Sequence, residues 1–351
     1  MEMVQDQKSG DNNTKTEYVN VLVMASMRTG SSFVGELFKQ NPEFLYIFEP
    51  LRALKLHDND AMLPVLGIEM LRDMYKCNFK TKTTKDFLTN LYNPRVKSGK
   101  RDIVRVWVDE LERGGATCDY GDGTCFKMSP PRASNSCSGF KYRGIKTIRI
   151  QDLNLVVYLM NLADIKLKVI NVLRDPRAMM ASAIPLHLSK YQKASRSATQ
   201  YTLTTEHWDD DLDHRLNVYC TSMMRNFLLG TKGTWMPKNQ YVPLRYEDMA
   251  AAPYDVARKV YDFLGLKLPE IVTKWLEKNT VADLKNDHAL YAYTTKRNST
   301  AAAQGWRGRM TFDLAKKIEN TGDCGRFMDL LGYRKVIDQG MLQNISVSLL
   351  V

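Results

Sequence analysis

Tyr18 to Phe38 reads YVNVLVMASMRTGSSFVGELF. The part through Ser26 is a short apolar run rich in β-branched residues, which suits a buried parallel strand. A Gly/Ser turn follows, and Phe33, Leu37 and Phe38 then carry the spacing of a helix. The stretch predicts strand, loop, helix. The same alternation recurs at Gly144–Ile150 with Leu153 onward, at Leu167–Leu173 with Pro176 onward, and at Gln240–Leu244 with Tyr254–Leu264. Repeated βα units place apolar strands side by side beneath helices, so the expected fold class is α/β, with a central parallel sheet flanked by helices.

Around this frame the chain has the composition of an ordinary globular protein, with 351 residues, 44% hydrophobic and 25% charged. Its net charge of +11 attracts anions such as nucleotides, sulfated glycans, nucleic acid or acidic membrane surfaces. No nucleic-acid-binding module or basic stripe interleaved with aromatics is present, so nucleic acid is not expected as a partner. The first 18 residues are polar, and no run reaches the length of a transmembrane helix or a signal core. Membrane association is expected only through an anchor outside this sequence; the alternative is a cytosolic protein.

From the motif outward we expect a polar tail over 1–17, one domain over 18–335 and a C-terminal tail over 336–351. Within the domain, residues of about 78–140 are rich in turn formers and read as a loop-rich insertion. It is either a solvated loop pinned by a disulfide or a wall of an acceptor cleft. The six cysteines, Cys77, Cys118, Cys125, Cys137, Cys220 and Cys324, lack CxxC spacing, which leaves disulfides or buried thiols. Sequons begin at Asn12, Asn298 and Asn344. Oligomeric state is not readable.

Two segments carry chemistry. In Met27–Phe33 (MRTGSSF), backbone N–H groups and the start of the following helix can hold an anionic oxygen cluster; Gly30 permits close approach, and Arg28, Ser31 and Ser32 add donors. The Walker pattern GxxxxGK[ST] is absent, and a plain strand-to-helix turn is the alternative. In Val169–Ser182 (VINVLRDPRAMMAS), Arg174 ends a strand and Pro176 can start a helix. Arg174 and Ser182, eight residues apart, can converge on a second phosphate. Otherwise Asp175 simply caps the helix and both arginines are solvated.

Met27–Phe33, continued by GELFKQNPEFLYIFEPL, resembles the 5′-phosphosulfate loop and following helix of the Golgi carbohydrate sulfotransferases, the group acting on the 6-hydroxyl of galactose, N-acetylgalactosamine or N-acetylglucosamine. Leu173–Ser182 resembles their 3′-phosphate segment. Further matches are GIKTIRI at Gly144, LRYEDMAAAP at Leu244, RNST with GWRGRM between Arg297 and Met310, and CGRFMDLLGY ending at Tyr333. Several weak motifs in the right order, over roughly 300 residues, are more specific than any one.

The resemblance implies a single-domain sulfotransferase fold of P-loop type. It also implies 3′-phosphoadenosine 5′-phosphosulfate (PAPS) as cosubstrate without a metal, a glycan acceptor and a Golgi lumenal location. By it, Arg28, Thr29, Gly30, Ser31, Ser32 and Phe33 hold the 5′-phosphosulfate, and Arg174 and Ser182 the 3′-phosphate. Ala183 stands where the family often has a basic residue. Arg307, with Arg309, is placed over the nucleotide or against an acidic acceptor, a solvated face being the alternative. Glu49, after the apolar run Leu45–Phe48, should end a strand beside the phosphosulfate loop. A carboxylate there can take the acceptor proton, and Glu49 with Arg28 forms the expected catalytic pair; otherwise Glu49 pairs structurally with Arg52 or Arg28. Lys146 or Arg149 would help to stabilise developing charge.

Competing readings are a tyrosylprotein or small-molecule sulfotransferase, a kinase or ATPase, and a non-catalytic glycan-binding protein on the same fold. His207 and His214, near Asp209, Asp210, Asp211 and Asp213, read as a solvated acidic turn, and Trp306 as core.

Overall fold

Six of the seven residues of β1 (Val19–Ala25) are buried, as its β-branched run requires. Val21, Val23 and Ala25 face one side and Leu22 and Met24 the other, each set in its own hydrophobic cluster. A strand apolar on both faces belongs in the middle of a covered sheet. That is where it lies: the sheet runs β2-β3-β1-β4-β5, and all four strand pairings are parallel. The other strands are β2 (Phe44–Phe48), β3 (Tyr142–Thr147), β4 (Leu167–Leu173) and β5 (Tyr241–Arg245). This computed structural model describes residues 19–56, 60–91, 129–191, 202–234, 236–280 and 299–351.

The helices, in chain order, begin with α1 (Ser31–Lys39), α2 (Met62–Tyr75), α3 (Lys82–Leu91), α4 (Pro130–Gly139) and α5 (Leu153–Met160). Next come α6 (Pro176–Tyr191), α7 (Asp210–Lys232), α8 (Tyr246–Ala251), α9 (Pro253–Leu264) and α10 (Glu270–Thr280). The last four are α11 (Ser299–Gln304), α12 (Phe312–Asn320), α13 (Cys324–Leu330) and α14 (Gln339–Gln343). Val34, Leu37 and Phe38 of α1 pack with α9 on the Val21 face, whereas α2 and α5 cover the Leu22 face. The crossovers leaving β1 and β3 therefore lie on opposite faces. In such sheets a crevice opens at the carboxyl ends of the strands, where the crossovers diverge.

Two expectations about the ends of the domain change. Residues 336–351 are not a loose tail: Val336, Leu342 and Leu349 are buried in the cluster beneath α6, α7 and α12, and Leu350 bridges to Tyr333. Its few apolar residues are spaced by polar ones and find their partners on distant helices, so no local pattern announces the packing. The region of about 78–140 carries helices at both ends, α3 and most of α4, and is closed by a Cys77–Cys137 disulfide. Residues 92–128, including Cys118 and Cys125, and the N-terminal tail lie outside the described residues. A second disulfide joins Cys220 of α7 to Cys324 of α13.

Candidate active site

The loop after β1 is shaped by two left-handed residues, Arg28 (φ 68°) and Gly30 (φ 84°). For Gly30 this backbone is permissive, and it is necessary here: a Cβ at this position would overlap the ring of Tyr246. Thr29 is fully buried and donates its hydroxyl to the Ser26 carbonyl at 2.9 Å. It fixes the turn and offers nothing outward. The amide of Phe33 closes onto the Gly30 carbonyl at 3.0 Å, and its ring packs on Trp275 of α10 at 5.4 Å. Gly30 is the residue ahead of α1, and no side chain caps that helix. The first N–H groups of α1, beside Ser31 and Ser32, thus face the end of the strand as an uncapped donor set suited to an anion.

The second segment meets this loop directly. Arg28 Nε donates to Ser182 Oγ of α6 at 2.8 Å, and Arg174 Nη1 donates to the Arg28 carbonyl at 2.8 Å. The Arg174 guanidinium lies 4.4 Å from the ring centre of Tyr246. Its Nε is buried and has no hydrogen-bond partner among the described residues. An arginine donor left unsatisfied beneath an uncapped helix end fits a phosphate that accepts from it. Arg28, Arg174 and Ser182 form one joined cluster of donors next to the start of α1, and such residues fit a phosphate-bearing anion.

Glu49 follows β2, which β3 separates from β1 in the sheet. It ends β2 in the left-handed region (φ 50°), uncommon for a residue with a side chain and concentrated at functional positions. Only 5% exposed, it takes the Lys146 ammonium on Oε1 at 2.5 Å, and the Ile148 amide reaches Oε2 at 3.4 Å. The partner is thus Lys146, one strand over on β3, and not Arg28 or Arg52. Lys146 also lies 4.7 Å from the ring centre of Phe48. Arg149 Nη1 reaches the Leu56 carbonyl at 3.3 Å.

Arg307 is not a nucleotide residue in this structure. Its guanidinium donates to the carbonyls of Met341, Leu342, Asn344 and Val347 at 3.0, 2.9, 2.7 and 2.9 Å, which pins the C-terminal segment to the domain. Nor is Arg177 solvated. It is fully buried, forked onto Asp175 at 2.6 and 3.0 Å and bonded to Glu319 of α12 at 2.8 Å. Trp306 is core, 5.4 Å from that guanidinium. In the acidic turn, Asp209 caps α7 through the Leu212 amide and pairs with His187.

Residues that sequence reasoning passed over support Arg174 from behind. Tyr219 accepts the Arg174 amide at 3.0 Å and donates to its carbonyl at 2.6 Å. Glu247, next to Tyr246, accepts the Asp175 amide at 3.2 Å and the Tyr333 hydroxyl at 2.7 Å. Burial pushes the Glu247 carboxyl above its ordinary value; Arg174 opposes the shift and Asp175 adds to it. The signal was in the sequence: Tyr246-Glu247-Asp248 follows the strand that neighbours β4, and acidic and aromatic residues at the carboxyl end of a parallel strand face the crevice.

A family model described as a sulfotransferase domain matches residues 19–331. Carbohydrate sulfotransferase 3 of Mus musculus is 30% identical over 94% of this chain and 71% of its own length. Carbohydrate sulfotransferase 1 of Danio rerio is 29% identical over 97% of this chain and 83% of its own. A solved sulfotransferase domain from the curacin biosynthetic pathway aligns over 90% of this chain and 98% of that one, at 13% identity and a TM-score of 0.46. The match of the family model covers the whole sheet, the loop after β1, the segment after β4 and Glu49: the chain belongs to the sulfotransferase family and is related to carbohydrate sulfotransferases 1 and 3.

Proposed function

We propose that this enzyme transfers the sulfuryl group of PAPS to a hydroxyl of a carbohydrate, the acceptor being the 6-hydroxyl of galactose, N-acetylgalactosamine or N-acetylglucosamine in a glycan. One observation carries the reading: the loop after β1 and the segment after β4 are bonded to each other through Arg28, Ser182 and Arg174. A single nucleotide bearing a 5′-phosphosulfate and a 3′-phosphate spans such a pair.

When bound, PAPS supplies an activated sulfuryl group on a nucleotide leaving group. The first turn of α1, with Ser31, Ser32 and Arg28, presents donors where negative charge develops, and these are organised before the reaction begins. Arg174 and Ser182 hold the 3′-phosphate. Glu49 takes the proton of the acceptor hydroxyl: its Oε2 carries only the long contact from Ile148 and retains capacity to accept, while Lys146 fixes Oε1. Tyr246, stacked on Arg174 and covering Gly30, sets the spacing between the two phosphate positions. The disulfides Cys77–Cys137 and Cys220–Cys324 suit an oxidising compartment, and with the relatives named carbohydrate sulfotransferases this supports the Golgi lumen as the working location.

The test mixes purified protein with PAPS carrying radiolabelled sulfate and a panel of desulfated chondroitin, keratan and simple glycans. Label should appear on at least one glycan and be released as a 6-sulfated monosaccharide on digestion. Transfer to none of them, or only to tyrosine peptides or small phenols, would overturn the carbohydrate assignment.

A further inference from the structure

Behind Arg174 lies a carboxylate that has no ion-pair partner among the described residues. Glu247 is bonded only to neutral donors, the Asp175 amide on Oε1 and the Tyr333 hydroxyl on Oε2. Its surroundings are closely connected to the phosphate cleft. Asp175 follows Arg174 in the chain, and Tyr246, which precedes Glu247, carries the Arg174 guanidinium on its ring. The charged and titratable groups facing Glu247 are Arg174 and Asp175 from the β4–α6 connection, Tyr219 from α7, Tyr333 from the C-terminal segment and Arg245 at the end of β5. On its own side, Arg245 is held by Asp248 at 2.7 and 3.0 Å. The residue Glu247 as a whole is half-buried, while its carboxyl group lies inside.

We propose that Glu247 is a positioning residue of the nucleotide site that takes up a proton from solvent when a 3′-phosphate docks on Arg174. The inference rests on the reading of Arg174 as the 3′-phosphate clamp. Arg174 opposes the effect of burial by favouring the charged form of Glu247; a phosphate monoester brings about −1.5 to −2 charges to that guanidinium and cancels this support. With Asp175 already beside it, Glu247 then binds its proton more tightly. The neutral acid still accepts the Asp175 amide through its carbonyl oxygen, and its O–H turns the bond with Tyr333 around. Proton uptake on binding means that affinity for the nucleotide rises as pH falls.

The experiment is calorimetric titration of the full chain with adenosine 3′,5′-bisphosphate, in buffers of different ionisation enthalpy, across the mildly acidic to neutral range. Wild type and Glu247→Gln are compared, since glutamine keeps the shape and an acceptor for Asp175. The ligand's own phosphates contribute equally to both, so the difference belongs to Glu247. Wild type should take up a measurable fraction of a proton more than Glu247→Gln and should show the steeper gain of affinity on acidification. Equal uptake and equal pH dependence in two variants that both bind would overturn the proposal and leave the proposed function standing. Failure of wild type to bind the bisphosphate would overturn both. Should Glu247→Gln not fold, Tyr333→Phe decides: loss of the hydroxyl that favours the charged carboxylate should move the uptake profile to higher pH, and an unmoved profile counts against Glu247.

Discussion

Gly30 is where backbone and site chemistry coincide. An alanine there must hold φ near 84° and displace the Tyr246 ring, so Gly30→Ala should weaken binding of adenosine 3′,5′-bisphosphate by about tenfold or more. Unchanged affinity by calorimetry would show that the loop does not need its left-handed turn. Glu49→Gln should keep nucleotide affinity and lower turnover by about 100-fold or more; unchanged turnover removes Glu49 from the role of base. At this scale the sequence was legible where side-chain type and strand position agreed. Arg174 and Ser182 were expected to converge on one phosphate and Arg28 to serve the other; in the structure both reach Arg28, Arg174 at its carbonyl and Ser182 at its Nε. It was not legible where partners are distant in the chain. Lys146 is separated from Glu49 by 97 residues and becomes its neighbour only through the β2–β3 pairing. Arg307 looked like a surface arginine because its four carbonyl acceptors come from the C-terminal segment, whose packing no local pattern announces.

Among the elements, the strands were the most legible. Each is short and followed by a turn or helix signal, and all four βα units anticipated are present, although β3, with Arg143 and Lys146 in it, runs Tyr142–Thr147 where Gly144–Ile150 was expected. The short helix α8 was missed, since six residues with two adjacent acids carry little periodicity. The start of α6 depends on Arg177, whose fork ties Asp175 to Glu319 of α12. Removing one partner of a buried pair leaves the other uncompensated, so Arg177→Met should cost about 3–5 kcal/mol in urea-induced unfolding. A loss below about 1 kcal/mol would mean that the network is dispensable. Because this network sits next to Arg174, the same variant should also weaken bisphosphate binding. In Arg307→Met, the C-terminal segment should become accessible to carboxypeptidase, with no direct loss of a phosphate contact; slow trimming equal to wild type would contradict its role as a clamp.

For the whole molecule, the net charge of +11 and the alternation of strands and helices correctly pointed to an α/β protein that handles anions, while the acceptor lies beyond what either reveals. The Cys220–Cys324 disulfide spans 104 residues between α7 and α13, so Cys220→Ala with Cys324→Ala should lower unfolding free energy by about 2–5 kcal/mol. An unchanged denaturation midpoint would contradict this. Stability should also carry the signature of Glu247. Its carboxyl is raised above the ordinary 4.5, so the native state binds more protons than the unfolded chain between those two values. That contribution is fully present below the unfolded value and is lost as pH rises through the folded one. Glu247→Gln should flatten this fall in a pH series of thermal unfolding, and an unchanged slope would deny it. In the proposed function, the loop after β1 and the segment after β4 form one site selective for a 3′-phosphorylated nucleotide. This is tested most directly by the affinities of adenosine 3′,5′-bisphosphate and of its 3′-dephosphorylated analogue for wild type and Arg174→Ala. Wild type should strongly prefer the bisphosphate, and Arg174→Ala should lose about 10- to 100-fold for it and much less for the analogue; equal losses for the two ligands would remove Arg174 from the 3′-phosphate.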